Sequence, residues 1–249
     1  MTGPGATAGP APGTGEGQAP AVPDVCAVIV AGGSGRRVGG GELKQFRWVA
    51  GKPMLLHSVQ RLQSRRDVGL VVVVLPRDYV ADPPPWLLQC DTDRLLLAHG
   101  GRERAESVWN GLGDVPDDAR VVLIHDAARP LATEAMIGRV IGAARAGTGA
   151  IAALPVTDTL KRVGADGRVI ETVDRDGLWR AQTPQGFPRD MILAAHRAAR
   201  RDGVSATDDA ALCERLGFPV VVVRGSEKAL KVTSEADFAR ADALADTPE

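Results

Sequence analysis

The chain has 249 residues, 44% of them hydrophobic, and a formal net charge of −1; this length supports one substantial core and, by default, one main domain. A net charge near zero disfavours an extended nucleic-acid or anionic-membrane footprint, because both require a large basic surplus. The three cysteines, Cys26, Cys90 and Cys213, are odd in number, far apart and outside any C-x-x-C pair, which argues against a disulfide framework or a zinc site and fits a reducing, cytoplasmic compartment.

Residues 1–23 are dominated by Gly, Pro, Ala and Thr without an apolar run of signal-peptide length, and read as a disordered tail ahead of one domain, 24–249. No segment approaches the ~18 apolar residues of a membrane span. The protein is therefore expected to be soluble, with neither nucleic acid nor membrane as a partner. From Asp24 onward, strand-like and helical patterns take turns. The run 25–31 empties into a glycine-rich stretch, Pro53 suits the first turn of a helix with Leu55, Val59 and Leu62 on one face, and 69–75 and 95–98 are the next apolar runs. The run 121–125 follows, then a helix after Thr133, a candidate N-cap, with Ile137, Val140, Ile141 and Ala144 in register. Strand-like runs at 150–154 and 219–223, and a helical stripe of Phe238, Ala241 and Ala245, complete the series. Most of the strand-like runs are uninterrupted, as expected where both sheet faces are covered. The alternation predicts an α/β fold, a single Rossmann-like, mostly parallel sheet wrapped by helices, with its ligand site beyond the carboxyl ends of the strands.

One segment, about 157–175, breaks the alternation. It is polar and carries Asp166-Gly167 between 159–163 and 169–173, the pattern of a tight-turned hairpin. Two strands alone are marginal in water, so the hairpin is expected to protrude as an arm that packs on a second subunit; an ordinary surface hairpin is the equally open alternative.

The strongest chemical signal is V-I-V-A-G-G-S-G-R-R, 28–37, followed by Lys44. Backbone amides and fixed positive charge arrive together at a strand end, which suits a polyphosphate. Two better-known readings weaken: Val38 stands where a dinucleotide fingerprint needs its third glycine, and no Lys-Ser/Thr pair follows to make a triphosphatase loop. Arg36, Arg37 and Lys44 would neutralise charge that grows during phosphoryl or nucleotidyl transfer; a surface turn with solvated arginines is the plainer alternative. A second constellation, V-V-L-I-H-D-A-A-R-P, places Asp126 at a hydrophobic strand end, aimed into the same crevice. One carboxylate is sufficient for magnesium, which takes its other ligands from phosphates and water, while a turn cap at Asp126 and a solvated Arg129 remain the competing reading. His125 reads as a packing or orienting residue, and His57, His99 and His196 as residues without a functional part. Gly100-Gly101-Arg102-Glu103-Arg104 with Ser107 is another strand-to-glycine-to-helix junction, Thr207-Asp208-Asp209 reads first as a helix cap, and Lys231 alone carries no signal.

Taken jointly, A-G-G-S-G-R-R, L-K-Q-F, G-G-R-E-R-A-E-S-V, H-D-A-A-R-P, V-T-D-T-L-K, T-V-D-R-D-G-L-W, Q-T-P-Q and L-K-V-T resemble, in order and over nearly all residues past the tail, the 2-C-methyl-D-erythritol 4-phosphate cytidylyltransferases of the non-mevalonate isoprenoid pathway. The resemblance implies attack of the acceptor phosphate on the α-phosphorus of CTP, without a covalent enzyme intermediate. It assigns Arg37 and Lys44 to the transition state and Arg175 and Lys231 to positioning the attacking phosphate. Ala31, Gly32, Gly33, Ser34, Gly35, Gly100, Gly101 and Ser107 would hold the nucleotide. Asp126, Arg129, Thr159, Arg175, Thr183 and Thr207 would surround the polyol phosphate, and Asp126 would engage Mg2+. It further implies a homodimer in which the hairpin arm is exchanged, so that Arg175 serves the neighbouring site. Two departures stand out: Arg102 replaces an acidic or small polar residue beside the cytosine, and 38–43 is unusually glycine-rich, which would leave the loop mobile without CTP. A cytidylyltransferase for another polyol phosphate, such as ribitol 5-phosphate, is the nearest rival. A non-catalytic nucleotide-binding regulator and a Rossmann oxidoreductase are more distant.

Overall fold

The computed structural model describes residues 22–33 and 43–248. The expected tail up to residue 21, the loop residues Ser34, Gly35, Arg36 and Arg37, and 38–42 lie outside them.

Strand β1 (Val25–Val30) is followed by a small ribbon, β2 (Trp48–Val49) and β3 (Lys52–Pro53), and by helix α1 (Met54–Gln63), which starts directly after Pro53 as its fixed φ favours. Strands β4 (Val68–Leu75) and β5 (Leu95–His99) precede α2 (Arg104–Leu112) and β6 (Val121–Asp126). Helix α3 (Glu134–Arg145) is capped by Thr133, whose hydroxyl accepts from Met136 N–H. Then come β7 (Gly149–Pro155), the hairpin β8 (Leu160–Val163) and β9 (Val169–Val173), β10 (Trp179–Pro188), α4 (Arg189–Arg201), α5 (Asp209–Arg215) capped by Asp208, β11 (Val220–Arg224) and α6 (Glu235–Ala245).

Seven strands form one sheet in the order β11-β7-β10-β6-β1-β4-β5. All neighbours in it are parallel except β10, which runs antiparallel to both β6 and β7. Side chains alternate between two cores as the two-residue period requires. Val25, Ala27 and Ile29 of β1 join the layer under α1 and α3, while Cys26 and Val28 join the layer under α2, α4 and α5. Uninterrupted apolar runs at β1, β4 and β6 therefore reflect burial on both faces, and the α/β, Rossmann-like, mostly parallel architecture agrees with the alternation in the sequence.

Two features depart from the sequence reading. β10 has no strand signal because Pro184, Gly186 and Pro188 interrupt it, and proline lacks a ladder donor; the strand nevertheless lies inside the sheet, with a register shift between Ala181 and Gln185 accommodating Pro184. β11, expected among the fully covered strands, pairs only with β7 at the sheet edge and leaves Val221 and Val222 exposed. The hairpin is present as expected, its turn closed by Gly167 at φ +80°, and Val163, Val169 and Ile170 on it are exposed.

Chain order locates the crevice. After β1 the chain builds β4 and β5 on one side, then returns to lay β6 on the other. A reversal of this kind opens a cleft at the carboxyl ends of the two strands flanking it. In the β1–β6 ladder Val30 pairs with Asp126, so the glycine stretch and the carboxylate leave the sheet side by side.

Candidate active site

The backbone at the end of β1 is held from three directions. Ala31 N–H donates to the Val74 carbonyl (2.9 Å) and Ala127 N–H to the Val30 carbonyl (3.1 Å). The Gln45 amide donates to the carbonyls of Ala31 (2.7 Å) and Gly33 (3.1 Å), tying the start of the loop to the K-Q-F turn. Gly32 lies against Gly100, and a Cβ on either would sit 2.9 Å from the other's Cα. Glycine is required at both because the two loops touch backbone to backbone. Beside this contact Gly101 N–H donates to Ser107 Oγ (3.0 Å), which in turn donates to the Glu103 carbonyl (3.1 Å).

These loops line a cavity of about 640 Å³ whose walls include Ala31, Gly32, Gly33, Lys44, Gly101 and Ser107. A second, of about 230 Å³, is lined by Arg129, Thr183, Gln185, Thr207 and Asp208. Arg104, Asp126 and Lys231 border both cavities. The volumes suit a nucleotide and a smaller polar molecule meeting at one carboxylate.

Asp126 is 8% exposed. Its Oδ1 accepts from Arg104 Nε at 3.1 Å and its Oδ2 from Lys231 Nζ at 2.8 Å. Burial pushes its pKa upward, but the two cations outweigh burial and hold it far below the ordinary carboxylate range. Lys231 reaches this position through a tethered loop: Val232 N–H donates to the Ala128 carbonyl (2.8 Å), and Lys44 Nζ to the Val232 carbonyl (2.8 Å).

Behind Asp126 the backbone is braced. Asp126 N–H donates to Thr183 Oγ1 (3.0 Å), which lies 3.1 Å from His125 Nδ1, while His125 Nε2 lies 3.1 Å from the Arg129 carbonyl. Burial lowers the His125 pKa to about 4 and keeps the ring neutral. A carbonyl can only accept, so Nε2 carries the proton and Nδ1 accepts from Thr183. His125 is the orienting residue its sequence context indicated. Arg129 donates to the carbonyls of Ala229 (2.7 Å) and Ala181 (3.2 Å), which holds its guanidinium along the smaller cavity.

The structure thus gathers Ala31, Gly32, Gly33, Lys44, Gly100, Gly101, Ser107, Asp126, Arg129, Thr183, Thr207 and Lys231 around one crevice. Ser34, Gly35 and Arg37 lie outside the described residues. Thr159 and Arg175 line neither cavity: Thr159 is exposed ahead of β8, and the Arg175 guanidinium donates to the Thr157 carbonyl at the base of the arm. Sequence reasoning gave no part to Gln45, Arg104, Asp209 or His196. Asp209 does occupy the first turn of α5, as its cap-like context suggested, but its carboxylate is buried against Arg104 (2.7 Å) and His196 (3.0 Å). The only local sign was that G-G-R-E-R and T-D-D each carry more charge than a turn or cap needs.

A family model described as 2-C-methyl-D-erythritol 4-phosphate cytidylyltransferase matches residues 25–247. The enzyme of that name from Syntrophus aciditrophicus is 43% identical over 225 residues, covering 89% of this chain and 96% of that protein. Its namesake from Frankia casuarinae is 44% identical over 225 residues, covering 90% of this chain and 82% of the other. Among solved structures, that of the Thermus thermophilus enzyme superposes with a TM-score of 0.74 at 34% identity, covering 88% of this chain and 98% of that one. With the glycine loops, Lys44, Asp126 and Lys231 gathered at the β1–β6 crevice, the chain belongs to the 2-C-methyl-D-erythritol 4-phosphate cytidylyltransferase family of nucleotidyltransferases.

Proposed function

We propose that this chain transfers the cytidylyl group of CTP to 2-C-methyl-D-erythritol 4-phosphate, giving 4-diphosphocytidyl-2-C-methyl-D-erythritol and pyrophosphate. The observation that carries this reading is the pair of cavities meeting at Asp126, Arg104 and Lys231. An acceptor phosphate in the smaller cavity and a triphosphate in the larger one would face each other across that junction. A phosphate oxygen attacks the α-phosphorus, the new P–O bond forms as the bond to the pyrophosphate oxygen breaks, and pyrophosphate leaves with that electron pair. Catalysis of this kind depends on in-line positioning and on stabilising charge at phosphorus. Lys44 supplies positive charge on the nucleotide side, a part the family resemblance gives to Arg37 as well, and Lys231 holds the attacking phosphate, with Arg129, Thr183 and Thr207 around the polyol. Gly33, where a Cβ would meet nothing within 4 Å, leaves room for the triphosphate to approach the backbone, while Gly32 and Gly101 let the loops around it pack against Gly100 and Glu106.

A magnesium ion fits this donor set. Among the described residues no cluster of three or more His, Cys, Asp or Glu side chains converges, but one ionised carboxylate beside a triphosphate is sufficient, the phosphates and water supplying the rest. Asp126 would hold the ion, which when bound offsets negative charge on the phosphates.

The hairpin arm is proposed to dock on a second copy of the chain, bringing Arg175 and Thr159 to the partner's acceptor pocket. In support, both line neither cavity of their own chain, and Val163, Val169, Ile170 and Trp179 present exposed apolar surface. Mixing Arg175→Ala with Lys44→Ala protein should restore about a quarter of wild-type activity, since half the dimers are mixed and each mixed dimer holds one intact site. Recovery of nothing above the parents would remove the exchange. The free cysteines Cys26, Cys90 and Cys213 accord with a cytoplasmic setting, and no helix of the described residues is long and apolar enough to cross a membrane.

The direct test is pyrophosphate release from CTP and magnesium with either methylerythritol phosphate or ribitol 5-phosphate. Turnover with the former should exceed the latter by ~10²-fold, the discrimination expected between acceptors that differ by a methyl and a hydroxyl group. Preference for ribitol phosphate, or no acceptor dependence, would overturn the assignment.

A further inference from the structure

Beneath Asp126 lies a buried polar chain that the chemistry above leaves unused. Arg104, the first residue of α2, places Nε on Asp126 Oδ1 (3.1 Å) and Nη1 on Asp209 Oδ2 (2.7 Å). The other Asp209 oxygen, Oδ1, accepts from His196 Nε2 of α4 at 3.0 Å. Asp209 and His196 are 1% and 2% exposed and border neither cavity, so Arg104 is the side chain through which they touch the junction. We infer that Asp209 and His196 are positioning residues for the transfer, holding Arg104 so that its guanidinium orients the Asp126 carboxylate at the junction of the two cavities. The inference rests on the cytidylyltransferase reading of that junction.

Three observations carry it. First, the two cations on Asp126 are not equivalent. Lys231 is half-exposed, and a lysine's four-carbon stem leaves its ammonium free to turn toward an incoming phosphate, whereas Arg104 is tied to a second carboxylate. When Lys231 turns to the acceptor, Arg104 remains as the cation on the Asp126 carboxylate. Second, a guanidinium is planar with its donors in a fixed fork, so bonds to two carboxylates on different elements determine its orientation as a single bond to a lysine would not. Third, the buried Asp209 carboxylate is held ionised, burial raising its pKa but His196 and Arg104 together outweighing that, and so it supplies a fixed negative partner to Arg104. The same link joins the loop 100–103, on the nucleotide side, to the start of α5, where Thr207 and Asp208 line the acceptor side.

Steady-state kinetics of Asp209→Asn, Arg104→Ala and the double variant, with thermal melting of each, test this. Asp209→Asn should lower kcat ~10-fold while leaving KM for CTP within ~3-fold, the pattern of an interaction used mainly in the transition state. The double variant should be no slower than Arg104→Ala, because residues acting through one another are not additive. A fall in melting temperature with kcat within ~2-fold of wild type, or a full extra loss in the double variant, makes Asp209 a structural tie and overturns the inference. Should Asp209→Asn not fold, Arg104→Lys carries the test. It keeps a cation for Asp209 but not the two-carboxylate fork, and unchanged kcat would again overturn the inference. Absence of acceptor-dependent turnover in the wild type would refute the functional reading instead, which separates the two failures.

Discussion

The two ends of the central sheet carry networks of the same chemistry and put them to different use. At the amino end Arg65 closes both Nε and Nη2 on the Asp67 carboxylate (2.9 and 2.8 Å) and reaches Glu134 with Nη1 (2.8 Å). Arg145 bonds Asp24 and, at 3.3 Å, Asp67. At the carboxyl end Arg104 and Lys231 converge on Asp126. Both networks join half-buried arginines to largely buried aspartates. The second opens onto the two cavities described above, because strand order reverses at β1 and β6 and parallel strands point their carboxyl ends into the resulting cleft. Buried ion pairs by themselves do not mark a site. Ion pairs beside an open cavity at a switch point do.

Substitutions at each end should separate these roles. The largest effect belongs to Asp126→Ala, expected to reduce turnover ~10³-fold, about 4 kcal/mol of barrier, through loss of the junction carboxylate. Its melting temperature should fall little, because Arg104 keeps Asp209 and Lys231 is already half in water. Comparable losses of stability and activity would mean that this network is structural, like the one at the amino end. Next, Arg145→Ala should lower unfolding free energy in urea by about 2 kcal/mol, between the values for exposed and buried pairs since its side chain is partly exposed, with kcat unchanged. A change in kcat would show that the two ends communicate. The smallest effect is that of Arg65→Lys, about 1 kcal/mol of stability, because an ammonium cannot reproduce the two-bond fork on Asp67. A neutral result would reduce that fork to an ordinary surface contact.

The parts legible from the sequence were those whose signal is local. Apolar runs with a following glycine marked β1 and its loop, and a carboxylate at the end of V-V-L-I-H-D marked Asp126. Thr133 announced α3 because a cap needs only the next turn. β10 was hidden because two prolines and a glycine masked a strand that is held by its neighbours on both sides rather than by its own propensity. Arg104, Asp209 and His196 were hidden for a different reason. The extra charge in G-G-R-E-R and T-D-D names no partner, and Arg104 meets Asp209 from 105 positions away.

What the sequence determined alone is the set of elements with a clear period, their caps, and the glycine-to-basic stretch that suits a polyphosphate. Backbone sterics and side-chain alternation act over a few residues, so they are written in the order of the chain. Which lysine and which arginine would reach Asp126 beside that stretch, and what would hold them there, were decided only by the return of β6 to the side of β1 and by the packing of α2, α4 and α5 on one face. Distant charges acquire meaning when a low-dielectric interior brings them within about 3 Å, and that proximity exists only in the folded sheet.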